Sequence, residues 1–377
     1  SSLINQIFQD KRGFIWIATE YGLNRFDGLR FSNYKHMSGD STSIKNNYVR
    51  TLYEDSRQNL LVGCIDGLMK YDSETDTFRE IPMIRAGKQV FPHVTQMQKL
   101  HNGEIWAVTT GQGIFRLDEE KQQAVSIDAI MKQVNYNFQS NLYEDSDYNI
   151  WIGTEGHGLI CYLPATQEVR IFRYPAINDN YVSAIGEDKY GNLFIGTQKH
   201  GLSRYDREQN RFVPVPYTGS EELSIYCLTL VDDHLLIGTD GQGLKTYNRM
   251  TGKIEDYSIN SAPLDFSEGK IHAILEDRDK NLWVGLFQKG IVLIPKQENP
   301  FEYYGNKSIY YNPIGQGCVM SIYQDSNHHL WVAADNEGVF ELDAEGRRLR
   351  HYQPGNNPRS MANTIMCMYE DTNGDFW

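Results

Sequence analysis

Several things are missing from this sequence, and each absence closes off a class of function. No apolar run approaches the ~18 residues that a membrane-spanning helix needs, and no charged start followed by an apolar stretch marks a secretory leader. Cysteine is scarce: Cys64, Cys161, Cys227, Cys318 and Cys367 make an odd count with no CxxC pair. That is neither a disulfide framework nor a thiolate zinc site. Positive charge is in deficit, with 36 Lys and Arg against 49 Asp and Glu and a net charge of −13. Such a balance argues against binding driven by release of counterions from nucleic acid and against general attraction to an anionic membrane. There is no GxSxG elbow, P-loop or HExxH motif, and nothing else in the sequence implies a cofactor or a metal. Alanine is sparse and the 3.6-residue period of amphipathic helices does not appear.

What is abundant is aromatic and turn-forming. Aromatics make up 12% of the 377 residues, led by 24 Tyr, beside 32 Gly. This composition favours short strands and tight turns. The order beneath it is a repeat. INQIFQDKRGFIWIATEYGLNRFDG from Ile4 returns as VRTLYEDSRQNLLVGCIDGLMKYD from Val49 and VTQMQKLHNGEIWAVTTGQGIFRLD from Val94. Further copies start near Gln139 and at Val182, Tyr226, Ile271 and Val319, and a ninth begins at Thr364 and stops at Trp377. The chain opens inside one unit and stops inside another, so we expect a piece of a longer protein, with any targeting or membrane segment outside it.

Each unit has one physical grammar. A first strand leads into an Asp-containing turn, then a second strand, a glycine turn, a third strand and a more variable fourth. Four short strands in about 45 residues is the size of a propeller blade. The glycine before the third strand (Gly22, Gly67, Gly113, Gly158, Gly201, Gly243, Gly290, Gly338) is expected at positive φ. The large apolar residue of the second strand, such as Trp16, Trp106, Trp151, Trp283 and Trp331, is expected between neighbouring blades. The turn Asp (Asp10, Asp55, Asp145, Asp188, Asp232, Asp277, Asp325) is expected to bond its own turn backbone. Stretches such as EDSDYN resemble calcium loops, but the spacing and terminal Glu of an EF-hand are absent.

The unit QDKRGFIWIATEYGLNRFDG resembles the two-component regulator propeller repeat, and the likeness runs through the whole chain. Unit three departs from it, with Leu100-His101-Asn102-Gly103 in place of the acidic turn, and unit six has a shortened turn at Asp232-Asp233. The resemblance implies an all-β fold of four-stranded blades, most simply a seven-bladed β-propeller over residues 1–306. A linker over 307–317 and the truncated start of a second propeller over 318–377 would follow. Spacing alone leaves an eight-bladed ring open, and the outer strand usual before a first unit is missing. The resemblance further implies the periplasmic sensor region of a hybrid two-component system anchored in the inner membrane, with its membrane helix, histidine kinase and DNA-binding parts outside these residues. It implies an oligosaccharide ligand, a homodimeric ectodomain, control of polysaccharide-utilisation genes and no catalysis in this fragment. The alternatives are a propeller polysaccharide lyase or glycoside hydrolase, and a protein-interaction platform.

In a propeller, the second-to-third-strand turns gather on one face with the interblade loops, and binding residues concentrate on such loops. The turns vary here while their flanks repeat. They put forward Glu20, Tyr21, Asp66, Gln112, His157, Lys199, His200, Gln242, Phe287 and Lys289 as ligand-binding residues. Polar side chains supply the donors and acceptors a sugar requires, and Tyr21, Tyr48, Tyr181 and Phe287 supply aromatic faces. Lys199, Lys289 and Arg50 are the cations nearest that face. His157 and His200 occupy equivalent turns of adjacent blades without a carboxylate or cysteine at fixed spacing, so they do not read as a catalytic or metal-binding pair.

Overall fold

The structure is a computed structural model that describes residues 3–134, 138–217, 219, 222–257, 268–296, 313–353, 355, 362 and 364–377. The chain divides into two compact units, Ser1–Gln297 and Glu298–Trp377. The first unit holds seven sheets among the described residues, at 4–34, 49–81, 83–126, 139–172, 182–214, 225–256 and 271–294. Within the repeat, strands pair antiparallel in chain order. The seventh sheet shows three strands among the described residues. The third is enlarged by a hairpin, Met83–Arg85 and Lys88–Val90, whose first strand lies parallel to Gln123–Ser126.

The first strand of each sheet lies innermost. Ile4–Gln9, Val49–Glu54, His93–Lys99, Gln139–Glu144, Val182–Glu187, Ile225–Val231 and Ile271–Glu276 touch one another in that order, and the last touches the first. The ring therefore closes between the seventh blade and the first, and it closes with the contacts used elsewhere. The sixth residue of a first strand accepts a hydrogen bond from the turn of the preceding blade. Glu54 takes Lys11 N at 3.2 Å, Glu144 takes His101 N at 2.7 Å, and Glu187 takes Ser146 N at 2.9 Å. At the closure Gln9 takes Arg278 N at 2.8 Å. Likewise Trp16 meets Tyr71 of the next blade edge-on at 5.0 Å and Trp151 meets Tyr205 at 4.9 Å, while Trp283 meets Phe26 at 5.8 Å across the closure. The expected position of the large second-strand residue between blades is thus observed.

The turn Asp works as expected in six units and does more, while in the shortened turn of unit six Asp232 instead pairs with Lys296 at 2.9 Å. Asp10 Oδ1 accepts Arg12 N and Phe14 N, and its Oδ2 accepts Trp16 Nε1 at 2.8 Å. Asp145, Asp277 and Asp325 hold Trp151, Trp283 and Trp331 in the same way, each at 2.8 Å. Where Leu61 and Phe194 replace the indole, Asp55 and Asp188 still accept the side-chain amides of Asn59 and Asn192. Unit three, which lacks the Asp, gives Trp106 the carboxylate of Glu104 at 2.9 Å. The repeat glycine has positive φ in all eight units. At Gly158 a Cβ would lie 2.1 Å from the Phe172 carbonyl oxygen, so no other residue fits that turn unstrained.

The second unit carries the eighth sheet, which has four strands, over 319–352. The ninth repeat follows it with the same devices: Glu370 accepts Ser326 N at 2.8 Å, and Asp371 accepts Trp377 Nε1 at 3.1 Å. The expected first-propeller boundary near residue 306, and residues 307–312 of the expected linker, lie outside the described residues.

Candidate functional site

Each inner strand shifts register near its start, between Ile4 and Gln6, Val49 and Thr51, Val94 and Gln96, and so on through Ile271 and Ala273. A bulge of this kind leaves one residue unpaired and re-aims its side chain. The residues skipped are Asn5, Arg50, Thr95, Ser140, Ser183, Tyr226 and His272. All seven carry a polar group, and all seven line one cavity of about 350 Å³ among the inner strands.

Part of this lining ties the blades together. Asn5 Nδ2 donates to the Val49 carbonyl of the next blade at 2.7 Å, Thr95 Oγ1 to Gln139 O at 3.0 Å, and Ser140 Oγ to Val182 O at 2.9 Å. Arg50 differs. Its guanidinium bonds the amide oxygen of Asn5 at 3.1 Å and carries the one Lys or Arg charge on the lining.

The channel opens on the face of the second-to-third-strand turns into a mouth of about 360 Å³. Arg50, Thr95, Ser140, Ser183 and Tyr226 line both spaces, and Glu20, Tyr48, His93, Glu155, Tyr181 and Gln198 surround the mouth. The backbone explains this membership. The residue after a second strand donates to the residue before the first strand: Glu20 N to Leu3 O at 3.3 Å, Glu155 N to Phe138 O at 3.2 Å, Gln198 N to Tyr181 O at 3.2 Å. One extra bond on the inner ladder keeps these residues near the axis, while later turn residues swing outward.

Aromatic rings shape the wall. Tyr226 stacks on His272 at 3.8 Å with planes 9° apart, and Phe287 also packs against His272 at 5.3 Å. Tyr48 meets His93 edge-on at 5.5 Å. Burial, with the Arg50 charge adding to it, pushes the His93 imidazole down to about 4. Burial does the same for His272, against the opposing pull of Asp240. Both rings are neutral at neutral pH, and the Nε2 of each is buried without a hydrogen-bond partner. Burial also raises the Tyr48 and Tyr226 phenols, so they remain O–H donors. Hydroxyls, amides, neutral imidazoles and aromatic faces around one cation form a surface suited to a polar, polyhydroxylated ligand.

Of the ten residues expected from sequence, Glu20 lines the mouth, joined by Tyr48 and Tyr181 as expected aromatic faces and by Arg50 as the expected cation. The other nine line neither space. Tyr21 stands 66% exposed on its turn tip. Asp66 accepts from Asn46 at 3.4 Å and Gln112 from Arg85 at 3.1 Å. His157 is held by its backbone N–H on Thr154 at 3.0 Å. Lys199 is exposed, and His200 pairs with Asp179 at 3.3 Å. Gln242 donates to Glu222 O at 3.1 Å, Phe287 backs His272, and Lys289 N bonds Leu286 O at 3.4 Å. The residues missed are the bulged ones. Their signal was present as a polar side chain just after the residue that opens the repeat, as in Ile4-Asn5, Val49-Arg50, Val94-Thr95 and Val182-Ser183.

A sequence profile described as the two-component regulator propeller matches residues 1–21, 133–156, 176–199 and 265–288. No curated protein matches the chain by sequence. Among solved structures, one described as the extracellular domain of the hybrid two-component system BT3049 from B. thetaiotaomicron is similar over the whole chain, at 25% identity and a TM-score of 0.68. The extracellular domain of BT4673 from the same organism is similar at 22% identity and a TM-score of 0.63. The chain spans 50% and 49% of the length of these two. A catalytically inactive virginiamycin B lyase from Staphylococcus aureus shares the fold at 12% identity, with a TM-score of 0.58 over 78% of this chain and 96% of its own. The chain is a β-propeller protein, and four of its segments match the two-component regulator propeller repeat.

Proposed function

We propose that this chain is the extracytoplasmic ligand-sensing part of a membrane-anchored two-component signalling protein, and that it binds an oligosaccharide at the mouth of the axial channel. The observation that carries the reading is the ring of bulged polar residues opening into a mouth walled by Tyr48, Tyr181 and Tyr226. Tyrosine faces stack on the apolar side of a pyranose while hydroxyls and amides meet its edge. The similar extracellular domains of two-component systems support the sensing part of the reading. The likeness to a lyase is one of fold, at 12% identity. In this reading the fragment performs no chemistry. Kinase activity, a homodimeric ectodomain and control of polysaccharide-utilisation genes belong to the whole protein. A ligand shifts such a sensor only by the difference in its affinity for the two signalling states.

The test is calorimetric titration of the complete ectodomain with oligosaccharides from a broad polysaccharide panel, with product analysis of the same samples. The expected result is one oligosaccharide bound at micromolar affinity and recovered intact. Recovery of cleaved sugar would assign an enzyme instead, and no binding across the panel would point to a protein partner.

A further inference from the structure

The channel lining holds one cation, Arg50, without an ion-pair partner among the described residues. Arg50 stands where the channel meets the mouth, and its side-chain hydrogen bond among the described residues goes to a neutral amide oxygen, that of Asn5 at 3.1 Å. The neighbouring cation Lys270 is already paired with Asp240 at 2.9 Å. Around Arg50 the wall offers hydroxyl oxygens and neutral rings: Thr95, Ser140, Ser183, Tyr226 and His272. His272 is only 8% exposed, and its Nε2 has no partner although the ring lines this cavity. One feature of the wall thus awaits a ligand group, a guanidinium fork without an ion-pair partner among the described residues.

We infer that the ligand carries a carboxylate and that Arg50 receives it, so the oligosaccharide sensed is an acidic one containing a uronic acid. This rests on the oligosaccharide reading and narrows it to a chemical class. A guanidinium presents two parallel N–H donors that fit a planar carboxylate, and such a pair is stronger and more directional than a neutral hydrogen bond. Partial burial removes much of the screening that weakens surface pairs. A multiply sulfated chain fits worse. Arg50 is the one cation of the lining, Glu20 and Glu155 stand at the mouth, and the net charge is −13. The uronate enters toward Arg50, and the neutral remainder of the sugar lies along Tyr48 and Tyr181.

The test uses the full chain and a matched panel: acidic di- and trisaccharides of the galacturonate and glucuronate types, each with its carboxyl-reduced neutral counterpart, and sulfated disaccharides. The expected result is that at least one acidic sugar binds about ten-fold or more tightly than its reduced form. In Arg50→Gln the ratio of acidic to reduced affinity falls to about one, and in Arg50→Lys it is partly retained. A melting curve for each variant verifies that the ring is intact, and Arg50→Lys serves if Arg50→Gln does not fold. Equal binding of acidic and reduced sugars, a preference for the sulfated disaccharides, or a preference that survives Arg50→Gln overturns the inference and leaves the oligosaccharide reading standing. Failure of every sugar, including the neutral ones, overturns both.

Discussion

At the scale of single residues, the repeat motif is a set of paired duties. In the pairs Gln9-Asp10, Glu54-Asp55, Glu144-Asp145 and Glu187-Asp188 the first residue latches the preceding blade and the second organises its own turn. Asp277 shows how much one carboxylate can hold. Its Oδ1 accepts Asp279 N at 2.9 Å and Asn281 N at 2.8 Å, and its Oδ2 accepts Asn281 Nδ2 at 3.0 Å and Trp283 Nε1 at 2.8 Å. Removing it strands a buried indole N–H and two turn amides, and each unsatisfied buried donor costs about 1–3 kcal/mol. Asp277→Ala is therefore expected to lower unfolding free energy by about 3 kcal/mol in a denaturant titration. Because both oxygens are committed within the turn, added calcium should leave the melting temperature of the wild-type protein unchanged. A rise in melting temperature with calcium would revive the loop reading that the EDSDYN stretches raise.

At the scale of elements, the blade was legible and its innermost strand was not. Strand order, the turn Asp, the positive-φ glycines and the interblade aromatic each follow from a residue type at fixed spacing, so sequence exposes them. The channel lining depends on a bulge. The first strand Ile4–Gln9 is buried at Ile4 and Ile7, with two partly exposed residues between, so strict alternation breaks where the site begins. A period-two reading assigns Asn5 and Gln6 to opposite faces and misses the ring. The turn-tip residues Tyr21, His157 and Lys199 were favoured for their variability, but the inner ladder holds only the first residue of each turn near the axis. The closing interface gives a prediction at this scale. Trp283 is buried at 6% exposure against Phe26 of the first blade, so Trp283→Ala should cost about 3–5 kcal/mol. Hydrogen exchange should then rise first in Ile4–Gln9 and Ile271–Glu276, the two inner strands that meet at the closure. Exchange that rises evenly around the ring would mean that closure is not its weakest seam.

At the scale of the molecule, the ring concentrates neutral histidines on its axis, and this sets a pH dependence. His93 and His272 each have an imidazole pushed down to about 4 from an ordinary 6.5. The unfolded chain takes up these protons first as pH falls. The stability they permit is complete above about pH 6.5 and is lost progressively toward about pH 4. Arg50 faces both rings, and Asp240 and Lys270 face His272 as well. Carboxylates held low by their partners, such as Asp325 and Asp232, titrate below this window. The melting temperature should therefore be lower at about pH 4.5 than at about pH 7.5, and His272→Phe should reduce the difference. A flat profile would mean that these imidazoles are protonated in the folded ring.

The central claim is that ligand binds at the axial mouth. It is tested most directly by titrating the oligosaccharide identified from the panel into wild-type protein and into Tyr226→Ala, with a turn-tip variant, Tyr21→Ala, as control. Tyr226 lines both channel and mouth and stacks on His272, whereas Tyr21 lines neither. The account predicts binding about ten-fold weaker or more in Tyr226→Ala and unchanged in Tyr21→Ala. Unchanged affinity in Tyr226→Ala together with a loss in Tyr21→Ala would contradict it and move the site to the outer turns.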